Sequence, residues 1–427
     1  MLNLIGIIIA FVIVILLIRK KINFGLSLII GSLIVGVFSI QEIKSIEIPK
    51  AFAKAIIYDF DNQVFDFQTI EIAILLSLIY ILAKCMQETG AIKKLIDSLR
   101  SIFTKGGTLG VIPAIYGLMP VPGGALFSAP TIDEEGDKFN LDQNQKNFLN
   151  VWFRHVWFPI YPISSAMILI TSVKFADFDI SLIILANIPA FVASILVGLF
   201  YLRKFIKNAP EKKIISKKYY SGLIYLLPPI LPLLIYGILQ IFGIPQIRSF
   251  LIGVIISIVL VFYLTDRTKE DYFKILKKSI SFNLAIAIFG IMIFRETFEV
   301  SQANIVLKNI IIDANIPVIS MIIIIPLVLG VLTGYNLGAV ALSFPILAPM
   351  FPSDINLIVL VGYTSLIFIS SLIGYIISPI HLCNVVSSDY LKTDTTRMYR
   401  IYIPAAFLML VIQIIVIGTV IYFSNMM

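Results

Sequence analysis

Two stretches of this chain repeat the same unusual order of backbone-bending and small polar residues. One carries Pro113, Gly117, Pro120, Pro122, Gly123, Gly124, Ala125, Ser128 and Pro130. The other carries Pro326, Gly330, Thr333, Gly334, Tyr335, Asn336, Gly338, Ala339, Ser343 and Pro345. In both, Pro precedes Gly by four residues, a Gly/Pro/Asn turn follows, and Gly-Ala and Ser-x-Pro come after it. Both lie in apolar surroundings. A helix in hydrocarbon satisfies its own backbone, and breaking it exposes N–H and C=O groups that each cost several kcal/mol if unpaired. Breaks persist where the backbone faces a cavity, another helix or an ion. Pro122, Gly123 and Gly124 offer N–H groups to an anion, helped by the positive end of the helix that follows. Thr333, Gly334 and Asn336 offer a hydroxyl, an amide and freed carbonyls, which suit a hard cation such as Na⁺. Each stretch alone could be a tight turn or a Pro kink. Recurrence at matching places in two halves favours a binding site.

A second pair of breaks follows. Phe158, Pro159, Tyr161, Pro162, Ser164 and Ser165 form one; Ser378, Pro379, His381, Cys383 and Asn384 form the other. Four unwound points, two per half, can meet around a pseudo-two-fold axis. Ser164, Ser165, Ser378 and Asn384 are then candidate substrate ligands, against the alternative that each bonds a carbonyl of its own helix. Arg154, beside His155, either pairs with an anionic substrate or snorkels to headgroups from a helix end. His381 either relays protons or makes a structural hydrogen bond. Arg295, Glu296 and Glu299 read as an internal ion-pair cluster. Asp133, Glu134, Glu135 and Asp137 read as a solvated loop. Cys85 and Cys383 show no disulfide framework and no zinc-ligand spacing.

These residues need elements to hold them, and composition limits the choice. Of 427 residues, 59% are hydrophobic and 14% charged, with a mean hydropathy of +0.98. A soluble protein could not cover so much apolar surface. The apolar runs are continuous, which excludes alternating barrel strands and leaves an all-α polytopic membrane protein. The net charge of +8 sits in short loops between apolar runs, the pattern of cytoplasmic loops, so nucleic acid is not expected as a partner. The first apolar run has basic residues after it and none before it, so it reads as a span and not as a cleavable signal.

Spans are expected near 3–18, 22–40, 70–87, 148–173, 180–202, 220–242, 247–264, 281–298, 356–388 and 401–424, the ninth broken near Ser378-Pro379. Amphipathic stretches at 41–60 and 266–279 are expected in the interface. The basic loops around 84–105, 203–218 and 267–278, with Arg19-Lys20-Lys21, can share the cytoplasmic side only if 107–131 returns to the side from which it entered. It is therefore expected to be a re-entrant hairpin. By the repeat, 317–350 is a second one, dipping from the opposite face. Residues 1–202 then hold five crossings and a hairpin, 203–218 a cytoplasmic linker, and 219–427 the same elements inverted, with both termini outside.

The runs Met119-Pro120-Val121-Pro122-Gly123-Gly124-Ala125-Leu126-Phe127-Ser128-Ala129-Pro130 and Arg154-His155-x-Trp157-x-Pro159 resemble an uncharacterised prokaryotic membrane-permease family. That family is placed within the ion-transporter superfamily, with gluconate and other carboxylate permeases as distant relatives. The resemblance covers nearly the whole chain. It implies two inverted repeats, two opposed hairpins, two broken helices, a homodimer, and Na⁺- or H⁺-coupled uptake of organic anions through a prokaryotic cell membrane.

The expected function is a secondary active transporter for a small organic anion such as a carboxylate or sugar acid. It would use no cofactor beyond the coupling ion. Thr333, Gly334, Asn336 and His381 are the candidate coupling residues. An ion channel or facilitator that uses the re-entrant loops as a filter is the alternative. A primary pump would need a nucleotide site, and no Walker A run is present. No intramembrane protease motif is present either, so an enzyme is not expected.

Overall fold

The computed structural model describes residues 2–103, 106–119, 123–207, 219–352, 354–424 and 426. Continuous apolar sequence leaves the backbone no water to bond, so nearly every described segment is helical. The first half contains α1 Leu2–Arg19, α2 Phe24–Ser39, α3 Glu47–Ile56, a two-stranded hairpin β1 Tyr58–Asp59 and β2 Val64–Phe65, α4 Gln68–Glu88, α5 Ala91–Ile102, α6 Thr108–Gly117, α7 Ala125–Asp137, α8 Gln143–His155, α9 Ser165–Thr171, α10 Ile180–Ala186 and α11 Ile188–Phe205. The second contains a 3₁₀ turn Ser221–Leu226, α12 Leu227–Ile241, α13 Gln246–Leu264, α14 Lys269–Ser279, α15 Asn283–Val300, α16 Ala303–Asp313, α17 Val318–Thr333, α18 Asn336–Leu347, α19 Leu357–Ile376, α20 Leu382–Leu391 and α21 Thr395–Ser424.

Among the described residues, eight helical segments are long and apolar enough to cross a membrane. The chain is a multi-pass integral membrane protein. Three expected spans are shorter than anticipated, the 180–202 run bending at Asn187 between α10, of seven residues, and α11. The 22–40 run folds as the 16-residue α2, which rises only about 24 Å. The 148–173 run is two helices, α8 and α9, separated by the irregular stretch 156–164. The ninth span breaks at 377–381, between α19 and α20. The amphipathic stretches form α3 and α14. Sequence patterning did not foresee α5, α16 or the β1–β2 hairpin. The acidic run 133–137 is not a loop. It forms the end of α7, where Asp133 and Asp137 each lie 2.6 Å from the buried ammonium of Lys146.

Contacts pair off between the halves. α2 packs on α15 and α13 on α4; α3 on α15 and α14 on α4; α7 on α20 and α18 on α9; α6 on α8 and α17 on α19. The loops also separate by end. At one end Lys94 meets Asp266 at 3.2 Å, and the Tyr219 and Gly222 amides bond Ser101 Oγ and Ser98 Oγ. There too Arg100, before α6, meets Glu134, at the end of α7, at 3.1 Å. The α6–α7 hairpin therefore starts and finishes at the same end. At the other end Lys174 meets Asp66 at 2.6 Å, Arg248 meets Glu71 at 2.9 Å, Asn3 bonds the Ser301 carbonyl and Ser424 bonds Asn356. Both described chain ends lie there. The Arg295–Glu296–Glu299 cluster forms the expected internal ion pairs and is joined by Lys54, 3.8 Å from Glu296.

Candidate functional site

α8 starts at a capping box. The Asp142 carboxylate accepts from the Gln145 amide at 2.9 Å, and the Gln145 side chain accepts from the Asp142 amide at 3.1 Å. With its start fixed, the helix delivers Arg154 and His155 to its last turn. Arg154 does not snorkel to a surface. It is 2% exposed, and its guanidinium donates to the Tyr116 carbonyl at 2.7 Å and the Met119 carbonyl at 3.2 Å. These carbonyls lie in and just past the last turn of α6, where a helix leaves acceptors short of donors; the Tyr116 carbonyl accepts in addition from the Met119 amide at 3.2 Å. A third carbonyl there, that of Leu118, accepts from the Tyr161 hydroxyl at 2.7 Å. The cation thus caps the negative end of the first hairpin arm.

Close approach of the arm to α8 needs a glycine. A Cβ on Gly117 would sit 2.0 Å from the Arg154 carbonyl oxygen. The second half repeats the device. A Cβ on Gly330 of α17 would sit 2.6 Å from the Ser371 carbonyl of α19, and one on Gly374 would sit 2.1 Å from the Leu327 carbonyl. Small residues let backbones cross closely where lipid supplies no hydrophobic drive. Gly334 ends α17 as a left-handed cap at φ 59°, and its Cα faces Ile380 of the second break.

The breaks are satisfied internally. Asn187, at the bend between α10 and α11, donates to the Pro159 carbonyl at 2.8 Å and accepts from Ser365 Oγ at 2.7 Å. Gln413 of α21 donates to the Ala186 carbonyl at 2.9 Å and to Ser365 Oγ at 2.7 Å. Ser378 donates to the Val331 carbonyl at 2.6 Å. An irregular backbone at membrane depth survives on such partners.

All four interrupted segments border one cavity of about 510 Å³. Gly123 comes from the first tip, and Gly334, Tyr335 and Asn336 from the second. Ser164 and Ser165 come from the first break, and Leu382 and Cys383 from the second. Arg154 is the one charged side chain among the described lining residues. The lining also reaches Asn23, Ser281 and Asn283, beside the Arg19-Lys20-Lys21 run.

The candidate residues divide accordingly. Gly123, Arg154, Ser164, Ser165, Gly334 and Asn336 line the cavity. Pro122 lies outside the described residues. Gly124 faces Arg154: a Cβ there would sit 2.1 Å from Nη2. Ser164 also caps α9 by accepting from the Met167 amide. Thr333 donates its hydroxyl to the Leu329 carbonyl at 2.7 Å, a bond within its own helix. Asn336 Oδ1 is buried without a hydrogen-bond partner. Asn384 is drawn into a buried polar seam with Asn147, 3.3 Å away. That seam extends to Ser388, and Asn150 with Ser387 forms a parallel contact at 2.8 Å.

Sequence reasoning missed Cys383 and Tyr375. The ligand atoms of His155, His381 and Cys383 lie within 4.8 Å of one another, and the Tyr375 ring centroid lies 4.0 Å from that of His381. The available signal was positional. The chain has two histidines, one at each break, and Cys383 is two residues from the second.

No curated protein matches the chain. A family model covers it from residue 4 to residue 421, carrying the description "protein of unknown function (DUF401)". The match runs from α1 into α21 and takes in every cavity-lining residue named above, and on that extent the chain belongs to the DUF401 family.

Proposed function

We propose that the chain is a secondary active transporter for a small organic anion, of the carboxylate or sugar-acid class, coupled to Na⁺ or H⁺ and acting in a prokaryotic cell membrane. One observation carries the reading. Two hairpin tips and two helix breaks surround a single cavity whose one charged described lining side chain is Arg154. Cavities of this size suit small molecules, and one cation in a low-dielectric wall selects for negative charge.

The paired contacts of the two halves support reading 1–202 and 219–427 as inverted repeats, with α6–α7 and α17–α18 as re-entrant hairpins from opposite faces. In that arrangement one bundle of helices, drawn from both halves, can rock against another around a fixed site. The cavity approaches the end that carries the basic loops, so this conformation is read as inward-facing. The substrate would sit against Gly123, Arg154, Ser164 and Ser165. Asn336 Oδ1, buried and unpaired, is the candidate oxygen for a coupling cation.

Uptake of a panel of radiolabelled organic anions into proteoliposomes, with imposed Na⁺ or pH gradients, tests the proposal. The expected result is accumulation of at least one anion above its equilibrium level under one of the two gradients. No gradient-driven accumulation across the panel would overturn it.

A further inference from the structure

We infer that His155, His381 and Cys383 form a three-ligand site for a soft transition-metal cation, Zn²⁺ or Cu⁺, at the wall of the cavity.

The three side chains come from two breaks that are distant in sequence. His155 ends α8, while His381 and Cys383 flank the start of α20. Their ligand atoms lie within 4.8 Å of one another, and the two imidazole centroids are 4.8 Å apart. Bond lengths to Zn²⁺ of about 2.0–2.3 Å place ligand atoms roughly 3.3–3.8 Å apart. The separations in this structure exceed that by at most about 1.5 Å.

The protonation pattern suits a ligand set. His155 Nδ1 lies 2.6 Å from the Val151 carbonyl. A carbonyl only accepts, so Nδ1 carries the proton and Nε2 of the neutral ring offers its lone pair. A backbone carbonyl behind a ligating imidazole is the usual second partner, fixing tautomer and orientation. His155 Nε2 faces the Tyr375 hydroxyl at 3.2 Å, a donor that can turn away when a cation arrives.

His381 supplies the independent observation. It is fully buried, neither ring nitrogen meets a nitrogen or oxygen partner, and the polar group it interacts with is the Cys383 thiol, a weak hydrogen-bonding partner. A buried polar group left poorly paired is costly, and a bound cation would remove that cost. Cys383 is buried as well, and it borders the cavity, which gives a cation its route in and leaves a coordination position open to a ligand from the cavity.

The donor set decides the class of metal. Two imidazoles and one thiolate favour Zn²⁺ and Cu⁺, whereas Na⁺, Mg²⁺ and Ca²⁺ need oxygen ligands that this cluster lacks. The thiolate offsets the whole charge of Cu⁺ and half that of Zn²⁺. With Arg154 on the same cavity, the Zn²⁺ form would add a second positive centre for an anion.

The experiment measures binding directly, so its outcome is separate from whether transport is found. The full chain, purified in detergent, reduced and stripped with chelator, is titrated with Co²⁺ as a spectroscopic stand-in for Zn²⁺. It is titrated separately with Cu⁺ against a chromogenic chelator, without oxygen. The expected result is one equivalent of either metal per chain, with a thiolate-to-cobalt charge-transfer band if Co²⁺ is taken. Cys383→Ser and His381→Gln should each weaken binding roughly tenfold or more, while Cys85→Ser leaves it unchanged. Both losses must appear in protein that remains monodisperse with unchanged helical content. Binding of neither metal, or binding equal in wild type, Cys383→Ser and His381→Gln, would overturn the assignment.

Discussion

Gly124 and Arg154 occupy adjoining space with no allowance for a side chain: a Cβ on the glycine would sit 2.1 Å from the arginine Nη2. Gly123 differs. Its φ is 68°, but a Cβ there would meet Leu382 at an ordinary 3.5 Å. Gly124→Val should therefore displace Arg154 from the Tyr116 and Met119 carbonyls. The expected cost is about 3 kcal/mol or more, since a buried cation loses its partners. Gly123→Ala should cost only the left-handed backbone term, about 1–2 kcal/mol. Thermal unfolding in detergent ranks the two variants, and equal melting temperatures would contradict this account of Gly124.

Arg154 is assigned two tasks, and kinetics separates them. As a cap it needs a planar fork for two carbonyls; as an anion partner it needs charge. Arg154→Lys keeps the charge and loses the fork. It should lower the melting temperature while retaining measurable uptake, with KM raised by roughly tenfold or less. Arg154→Gln removes the charge as well and should raise KM much further. Identical KM values in both variants and wild type would leave Arg154 with the cap alone.

Lys146 is 1% exposed, whereas its partners Asp133 and Asp137 are 34% and 72% exposed. Breaking the cluster should be asymmetric. Lys146→Met leaves two carboxylates that water can reach, at a cost of about 1 kcal/mol. The double change Asp133→Asn with Asp137→Asn leaves a buried ammonium without a counter-charge and should cost about 3–5 kcal/mol. Comparable losses in the two proteins would show that burial of Lys146 is not the deciding factor.

Asp66 gives a pH-dependent case outside the spans. Burial would raise its carboxyl, but the Lys174 ammonium and the Gln68 amide outweigh that and hold it below the usual carboxylate range. A depressed folded-state value means the contribution is present above the unfolded pKa of about 3.9 and is lost as pH falls through the lower folded value. Asp66→Asn should therefore melt below wild type at pH 7, and the gap should close as the pH falls below about 4. A gap that persists unchanged at acid pH would contradict the role of the ion pair.

The sequence made part of the interruptions legible because Pro and Gly are explicit: Gly117 closes α6, Gly334 ends α17 in a left-handed cap, and Ser378-Pro379 falls between α19 and α20, whereas Pro113, Pro326 and Gly330 sit inside continuous helices. It also made legible that the basic stretches around 84–105 and 267–278 meet at one end, where Lys94 pairs with Asp266; residues 208–218 of the third basic stretch lie outside the described residues. The direction of Arg154 was not legible. Snorkelling and inward capping use the same residue at the same helix end, and only the neighbouring α6 carbonyls decide between them. Nor was the fate of Asn384, whose partner Asn147 is distant in sequence. The His155–His381–Cys383 cluster stayed hidden for the same reason: its members are adjacent only once the two breaks meet. The acidic end of α7 misled because Lys146, which pairs with it, lies beyond the intervening turn.

The central claim is that one cavity, between both tips and both breaks, opens alternately to the two sides. Ser165 lines it. A Ser165→Cys protein in the Cys85→Ser background, compared with that background alone to subtract Cys383, can be labelled with a membrane-impermeant thiol reagent from either face of oriented vesicles. The account predicts labelling from both faces, slowed from at least one of them by the transported anion, with loss of uptake in proportion to labelling. Labelling from one face only, under every anion and gradient condition, would contradict it.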